Sequence, residues 1–426
     1  MSNYQFGIRA NLGQFNQQLL QVFWVGMTLG LMRTVVPALA EAEFDVPRNS
    51  FMLLTMFVVA FGFVKGAMNF VAGRLSEKVG RKKVLVMGWI IALPIPLMIY
   101  FAPSWNWIVA ATVLLGINQG LTWSMTQTSK LDMTHQHQRG LTVGFNEFAG
   151  YVGVAVAGVV TAYVAEWLGV REGLLWMGSI VILIALITAV WQIKDTLPWA
   201  HHEIKTHVPN AGGADTARAL TTYEAFALVI WKDKRMQAFS QAGLVEKFVD
   251  ALVWVFYPLY LMQNGATLTQ MSWIIGIYGT VWGMSQFLTG KLSDHVGRLW
   301  PIVIGMWVCG IGVLMMLFFK NAVGWSISAA VAGFGMALLY PNLSAAISDI
   351  AHPKWRGSAI GTYRFWRDTG YGIGALALGW VAQHYGQVEA GFWMVGIAML
   401  LSGLWVLVMA EETLPAKVQQ KAAKES

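Results

Sequence analysis

Twelve runs of about 20 apolar residues, separated by polar or Gly/Pro-containing joints, fill the chain from end to end. A helix needs that length to cross roughly 30 Å of hydrocarbon, so the runs place membrane spans near 17–40, 50–72, 84–102, 107–129, 141–165, 173–193, 236–261, 271–289, 300–319, 325–347, 359–383 and 391–410. Composition leads the same way. Only 12% of residues are charged and 56% are hydrophobic, against about 25% charged in soluble domains. That balance excludes an ordinary soluble enzyme or nucleic-acid-binding domain and makes the lipid bilayer the first partner. The formal charge of +7 does not call for nucleic acid, because basic residues gather in cytoplasmic loops for topological reasons. The first and seventh runs are interrupted, by Arg33 and by Glu246, Lys247 and Asp250.

Of the 29 Lys and Arg residues, 21 fall in tails and joints on one side of the predicted spans; Arg48, Arg171 and Lys320 alone fall on the other. The asymmetry puts both termini in the cytoplasm. The first 16 residues carry only Arg9 and no small-residue cleavage site, so the first span is expected to stay in place. The division is an N-terminal half 1–193, a cytoplasmic linker 194–235, a C-terminal half 236–410 and a cytoplasmic tail 411–426. The linker holds His201, His202, Glu203, His207, Pro209 and the Gly212-Gly213 pair. Without cysteines or a carboxylate cluster it is not read as a metal site. The single cysteine, Cys309, excludes a disulfide framework, and no cofactor is expected.

The chain repeats itself. Gly73-Arg-Leu-Ser-Glu77-Lys-Val-Gly80-Arg81-Lys82-Lys83 returns as Gly290-Lys-Leu-Ser-Asp294-His-Val-Gly297-Arg298, displaced by 217 residues. The same shift superposes eleven of the 19 glycines before the linker, where composition alone gives about 2, and pairs Asp132 with Asp349 and Arg139 with Arg356. Two parallel six-helix halves around a midplane site are a recurrent transporter architecture.

With twelve spans, a central linker and a Gly-x-Leu-x-Asp-x-x-Gly-Arg-Lys/Arg-like signature after the second span of each half, the chain resembles the major facilitator superfamily, and among its members the proton-coupled efflux carriers. Glu77 stands where the signature has Asp; helix 4 has Gly116 where drug antiporters place Arg, and helix 5 lacks their Gly-Pro pair. The resemblance implies an all-α fold of twelve transmembrane helices in two pseudo-symmetric halves. It also implies a cytoplasmic gate in which Glu77 meets the N-terminus of helix 11 and Asp294 that of helix 5, where the helix dipole and free N–H groups favour a carboxylate. Gly73, Gly80, Arg81, Gly290, Gly297 and Arg298 complete that gate motif. It further implies that helices 1 and 7 line a central cavity and that helices 2 and 11 adjoin.

Nine ionisable residues lie inside spans: Arg33, Lys65, Glu147, Glu246, Lys247, Asp250, Arg364, Arg367 and Asp368. An ionised group at the bilayer centre costs at least about 2.5 kcal/mol, so each should be paired or face a water-filled cavity. Depth along the helices suggests a Lys65–Asp368 pair, and Asp250 as the proton-coupling carboxylate opposite Arg33. Glu147 and Glu246 lie nearer the cytoplasm. Gln119, Trp123 and Gln127 recur at i, i+4 and i+8; Trp254 follows Asp250 by one turn, and Tyr340 and Asn342 flank Pro341. These suit a substrate cavity, although amides equally hold membrane helices together. Trp105, Trp107, Trp167 and Trp325, at span ends, read as an interfacial aromatic belt.

The expectation is a monomeric secondary transporter of the plasma (inner) membrane that exports a small molecule by alternating access, with protons as coupling ion. Uptake or exchange of a small anion stays open, on account of Arg33 and the basic excess. So does a transport-inactive receptor or assembly factor on a carrier fold. No nucleotide-binding Gly-rich loop supports ATP drive, and no nucleophile, base and orienting group share one depth, which argues against an enzyme.

Overall fold

A computed structural model describes residues 4–44, 51–206, 220–352 and 354–425. His207, Pro209 and the Gly212-Gly213 pair lie outside the described residues, as do Arg48 and the side chain of Arg33. Among these residues twelve long helices follow one another: α1 (Leu12–Phe44), α2 (Phe51–Val79), α3 (Arg81–Tyr100), α4 (Trp105–Asp132), α5 (Arg139–Leu168), α6 (Val170–Trp191), α7 (234–263), α8 (Leu268–Val296), α9 (Leu299–Phe318), α10 (Ala322–Ile350), α11 (Arg356–Tyr385) and α12 (Glu389–Met409). Most outrun the apolar runs. Thus α2 continues to Val79 instead of stopping near 72, because the signature residues extend the helix beyond the hydrocarbon.

Two helices are broken where proline removes a donor. In α3 the ladder stops at Ala92 and resumes at Ile95 after Pro94; in α7 a π turn, Leu252–Phe256, precedes Tyr257 and Pro258. Gly80 and Gly297, related by the repeat, have φ of 97° and 106°, a region closed to side chains with a Cβ, and there the chain turns sharply into α3 and α9. The linker is not featureless. It contains a helix Leu197–Thr206 and, behind a Thr221/Glu224 capping box, a short helix Thr222–Ala227.

One face of the bundle gathers both ends of the chain. Asn11 donates to Met133 O at 3.2 Å, Gln14 to Gln192 O at 2.9 Å, Trp199 to Gln5 O at 3.1 Å, and the Arg298 N–H to Glu412 at 2.8 Å. We call it the terminal face. The perimeter is apolar: Trp176, Ile180, Leu183 and Ile187 make an exposed stripe on α6, a surface suited to lipid. Trp167, 85% exposed, fits the aromatic belt, but Trp325 is 3% exposed. Trp325 therefore packs inward, 6.5 Å edge-on from Tyr260, and does not belong to the belt.

The halves α1–α6 and α7–α12 meet along two seams, α2 on α11 and α5 on α8. Small residues explain why. A Cβ on Gly73 would strike Gly357 O and Gly361 Cα; one on Gly290 would strike Gly140 O. These contacts map onto each other under the 217-residue shift, so the repeated glycines are the places where backbones of opposite halves touch.

Candidate functional site

The terminal-face end of both seams is bolted by carboxylates on helix N-termini. Glu77 accepts from Ser358 N and Ser358 Oγ of α11, both at 2.7 Å, and Asp294 accepts from Gly140 N at 2.9 Å and Leu141 N at 2.8 Å of α5. Free N–H groups and the helix dipole make these strong positions for a negative charge. Behind each bolt the signature arginine reaches the last turn of the fourth helix of its own half. Arg81 lies 3.1 Å from Asp132 and Arg298 lies 2.9 Å from Asp349.

Two parts of this face escape the sequence reading. Asp195 accepts from Lys82 N at 3.2 Å, and Glu412 accepts from Arg298 N at 2.8 Å and Leu299 N at 3.2 Å. They are 217 residues apart, within Asp195-Thr-Leu-Pro198 and Glu412-Thr-Leu-Pro415. The second is Glu203 of the linker helix. Its carboxylate takes two bonds from Arg356, at 2.8 and 3.0 Å, and lies 3.6 Å from Arg139. One linker carboxylate thus holds an arginine from each half.

Deeper in the bundle, polar and charged side chains meet between the seams. On the α2/α11 side, Lys65 lies 3.5 Å from Asp368, which also accepts from Asn69 at 2.8 Å and from Arg367 Nε at 2.8 Å. Arg364 donates to Gln127, and Asn69 accepts from Ser124 at 2.7 Å. On the α4/α5 side, Glu147 accepts from Trp123 Nε1 and Asn146, each at 2.9 Å, while its other oxygen has no hydrogen-bond partner among the described residues. On α7, Lys247 lies 2.7 Å from Asp250 and 3.5 Å from Glu246, and Tyr278 donates to Asp250 at 3.4 Å.

Tyr340 joins these groups. Its ring centre lies 4.1 Å from Lys247 Nζ, 4.4 Å from the Arg367 guanidinium carbon, 5.4 Å from Trp282 and 5.9 Å from Tyr151. Lys65 is likewise ringed by Trp123, Phe61 and Tyr371 at 5.3 to 5.5 Å. Cation–π contacts of this kind stabilise desolvated ammonium and guanidinium groups by about 2 kcal/mol. On the side away from the terminal face the cluster is capped by Phe61 and Trp254, which line a small apolar pocket together with Leu29, Met32, Phe57, Thr112 and Leu115.

The structure therefore brings together Lys65, Asp368, Arg364, Gln127, Trp123, Glu147, Glu246, Asp250 and Tyr340, with Trp254 at the rim. It does not gather all the candidates. Gln119 donates to Val25 O and Thr28 Oγ1, holding α4 to α1, and Asn342 donates back to Leu338 O at 2.6 Å around Pro341. Arg33 is on α1, but its side chain lies outside the described residues, so the partners seen for Asp250 are Lys247 and Tyr278. Residues absent from the predicted site include Arg367, Lys247, Asn69, Tyr151 and Trp282. Spacing alone flagged the first two, as charges in apolar runs.

The comparisons with known proteins agree with this geometry. The sequence pattern of the Major Facilitator Superfamily matches residues 19–245 and again 239–426. A probable 4-methylmuconolactone transporter of Cupriavidus pinatubonensis is 26% identical over 79% of this chain and 77% of its own length. A multi-drug resistance efflux pump PmrA homolog of Lactococcus lactis is 24% identical over 91% and 90%. Among solved structures, the human organic anion transporter MFSD10 (TETRAN) superposes with a TM-score of 0.76 at 15% identity over 93% of this chain and 99% of that one. The proton:xylose symporter XylE superposes with a TM-score of 0.74 at 17% identity over 95% and 97%. Helix order, paired seams, duplicated signature and matches spanning both halves lead to one conclusion: the chain belongs to the major facilitator superfamily, an integral membrane transporter built as two six-helix halves.

Proposed function

We propose that this transporter is a proton-coupled secondary carrier that exports a small molecule by alternating access, acting as a monomer in the plasma (inner) membrane with both termini in the cytoplasm. The observation that carries the reading is the buried cluster itself. Eight ionisable side chains, Lys65, Glu147, Glu246, Lys247, Asp250, Arg364, Arg367 and Asp368, are each 2% exposed or less between halves that are bolted at one face and meet an apolar cavity towards the other. Charges at that depth are costly and mark solute or proton pathways. We assign proton exchange to Glu147 in preference to Asp250, because Asp250 already has Lys247 at 2.7 Å whereas Glu147 has no ion pair among the described residues and one unpartnered oxygen. The names of the efflux pump homolog and of the proton:xylose symporter support export and proton coupling respectively.

The test is proton movement in liposomes that hold the purified protein and a pH-sensitive dye, on addition of a panel comprising benzoate, glucose and ethidium. Solute-dependent proton flux in one member supports the carrier; solute flux with no proton flux removes the coupling, and no flux of any member favours the receptor reading. Sidedness is checked separately by cysteines at the exposed positions Tyr223 and Gln387 in a Cys309→Ala background. Cytoplasmic reagent should label the first and external reagent the second. The reverse pattern would invert the topology.

A second reading, uptake or exchange of a small organic or inorganic anion, is favoured by the guanidinium nitrogens of Arg364 and Arg367 on α11 that have no partner among the described residues, and the likeness in fold to the human organic anion transporter fits it.

A further inference from the structure

Arg367 is wholly buried, and its Nε is spent on Asp368, yet neither Nη1 nor Nη2 has a hydrogen-bond partner among the described residues. Three residues earlier, Arg364 gives Nη1 to Gln127 and leaves Nη2 without one. Leaving buried charged donors without partners is costly, so a folded protein that does so at two positions one helical turn apart is holding them for something else.

Packing does not require the arginine. Position 367 corresponds under the 217-residue shift to Gly150, and position 243 to Gly26. In the N-terminal half those two glycines bring α1 and α5 into backbone contact; a Cβ on Gly26 would strike Gly150 O. In the C-terminal half Gly243 is retained, but the space over it is taken by Tyr363 and by the stem of Arg367. The guanidinium then lies over Tyr340, beside Trp282, whose indole Nε1 is also buried without a partner.

We propose that the open edge of Arg367 binds the carboxylate of a small, flat monocarboxylic acid anion, with Arg364 as a second donor and the Tyr340–Trp282–Tyr151 group against the body of the ligand; this rests on the carrier reading above. The two Nη groups form a planar fork that matches a carboxylate in a bidentate way. Aromatic walls, with Tyr151 and Trp282 ring centres 4.0 Å apart, suit an unsaturated body over a flexible polar one. Among the described residues the four basic and four acidic side chains of the cluster balance. A monoanion upsets that balance by one charge, a dianionic phosphate by two.

The experiment is calorimetric titration of the full-length protein in lipid nanodiscs with benzoate and with its uncharged isostere benzamide. Benzoate should bind saturably and benzamide about 30-fold more weakly, the range expected of a charge-assisted pair. Arg367→Gln should bring benzoate down to the benzamide level, and Arg367→Lys, which keeps the charge but not the fork, should fall between. No benzoate binding, equal binding of the two ligands, or undiminished benzoate affinity in Arg367→Gln overturns the assignment; should that variant not fold, undiminished affinity in Arg367→Lys does. Failure of the two readings is distinguishable. Proton flux driven by glucose or ethidium without benzoate binding leaves the carrier and removes the anion site; benzoate binding with no proton flux for any solute leaves the site and removes the coupling.

Discussion

The terminal face and the midplane of this transporter descend from the same duplicated sequence but have kept it to different degrees. At the face, positions 217 apart still hold the same chemistry: Glu77 and Asp294, Arg81 and Arg298, Asp132 and Asp349, Arg139 and Arg356, Asp195 and Glu412. At the midplane the equivalents have parted. Lys65 corresponds to Trp282, Asp368 to Tyr151, Glu147 to Arg364, Asn69 to Gln286 and Gly150 to Arg367. One seam consequently carries the Lys65–Asp368 ion pair at 3.5 Å where the other carries the Tyr151–Trp282 ring pair at 4.0 Å. A gate must close two equivalent seams, so symmetry serves it. A site for a small asymmetric solute gains by losing symmetry, because each half then offers a different group to a different part of the ligand.

The largest effect should follow from breaking what the two seams still share. Gly73→Leu and Gly290→Leu each place a side chain where the opposing backbone stands, and overpacking of this kind costs about 1–3 kcal/mol or more. Both variants should lose nearly all transport in the proteoliposome assay while still inserting in the membrane. If only one of them fails, the seams are not equivalent and the comparison breaks at its symmetric end.

Next comes the divergent pair. Removing one member of a buried ion pair costs about 3–5 kcal/mol because the other charge is stranded. Lys65→Ala and Asp368→Ala should each abolish transport, whereas the double exchange of Lys65→Asp with Asp368→Lys should restore part of it. Recovery will be incomplete, since Asn69 and Arg367 also bond Asp368. A double exchange no better than either single change would mean that the two charges act separately.

The shared half of this comparison is legible from sequence and the divergent half is not, for a physical reason. Backbone contact demands glycine, and a buried turn demands the same charges each time, so the duplication survives where geometry is strict. Midplane positions reveal only that charges sit in apolar runs. Their spacing cannot say which cation meets which carboxylate, and the Asp250 side chain pairs with Lys247 one turn away on its own helix. Arg367 illustrates the limit: next to Asp368 it reads as half of a pair, and only the structure shows that its outer nitrogens are unpaired. Glu203 is hidden for the opposite reason, since a carboxylate in a polar linker reads as solvated. Trp325 sits at a span end, as belt residues do, and only tertiary packing turns it inward.

A subtler change separates the carboxylates. Glu147→Gln should stop net transport driven by a pH gradient and leave solute exchange at equal pH largely intact, because exchange needs no change in protonation. Asp250→Asn, which strands Lys247, should impair both. The assay is paired counterflow and gradient-driven flux on the same vesicles. If Asp250→Asn alone shows the split between drive and exchange, proton coupling belongs to Asp250 and the lack of an ion pair at Glu147 has another cause.

The smallest effect concerns an asymmetric piece of the symmetric face. By the repeat, Arg356 should stand to Asp132 as Arg139 stands to Asp349, at 3.2 Å, yet its guanidinium is bonded to Glu203 instead. Glu203 belongs to neither half, so its grip on Arg356 and Arg139 adds to closure without being copied by the duplication. Glu203→Gln removes the charge and keeps the shape, and because the side chain is 18% exposed water can replace part of what is lost. About 1 kcal/mol of bias towards the closed face is the expected loss, a factor of about five in the closed-to-open ratio. A cysteine at Thr362, buried one turn beyond the Ser358 bolt on α11, should then react about five times faster with a thiol reagent added from the terminal face. Glu77→Gln should accelerate it more, since that change weakens two bonds at a helix N-terminus. An unchanged rate in Glu203→Gln, with the expected rise in Glu77→Gln, would make the linker helix a passenger and leave the gate to the duplicated residues alone.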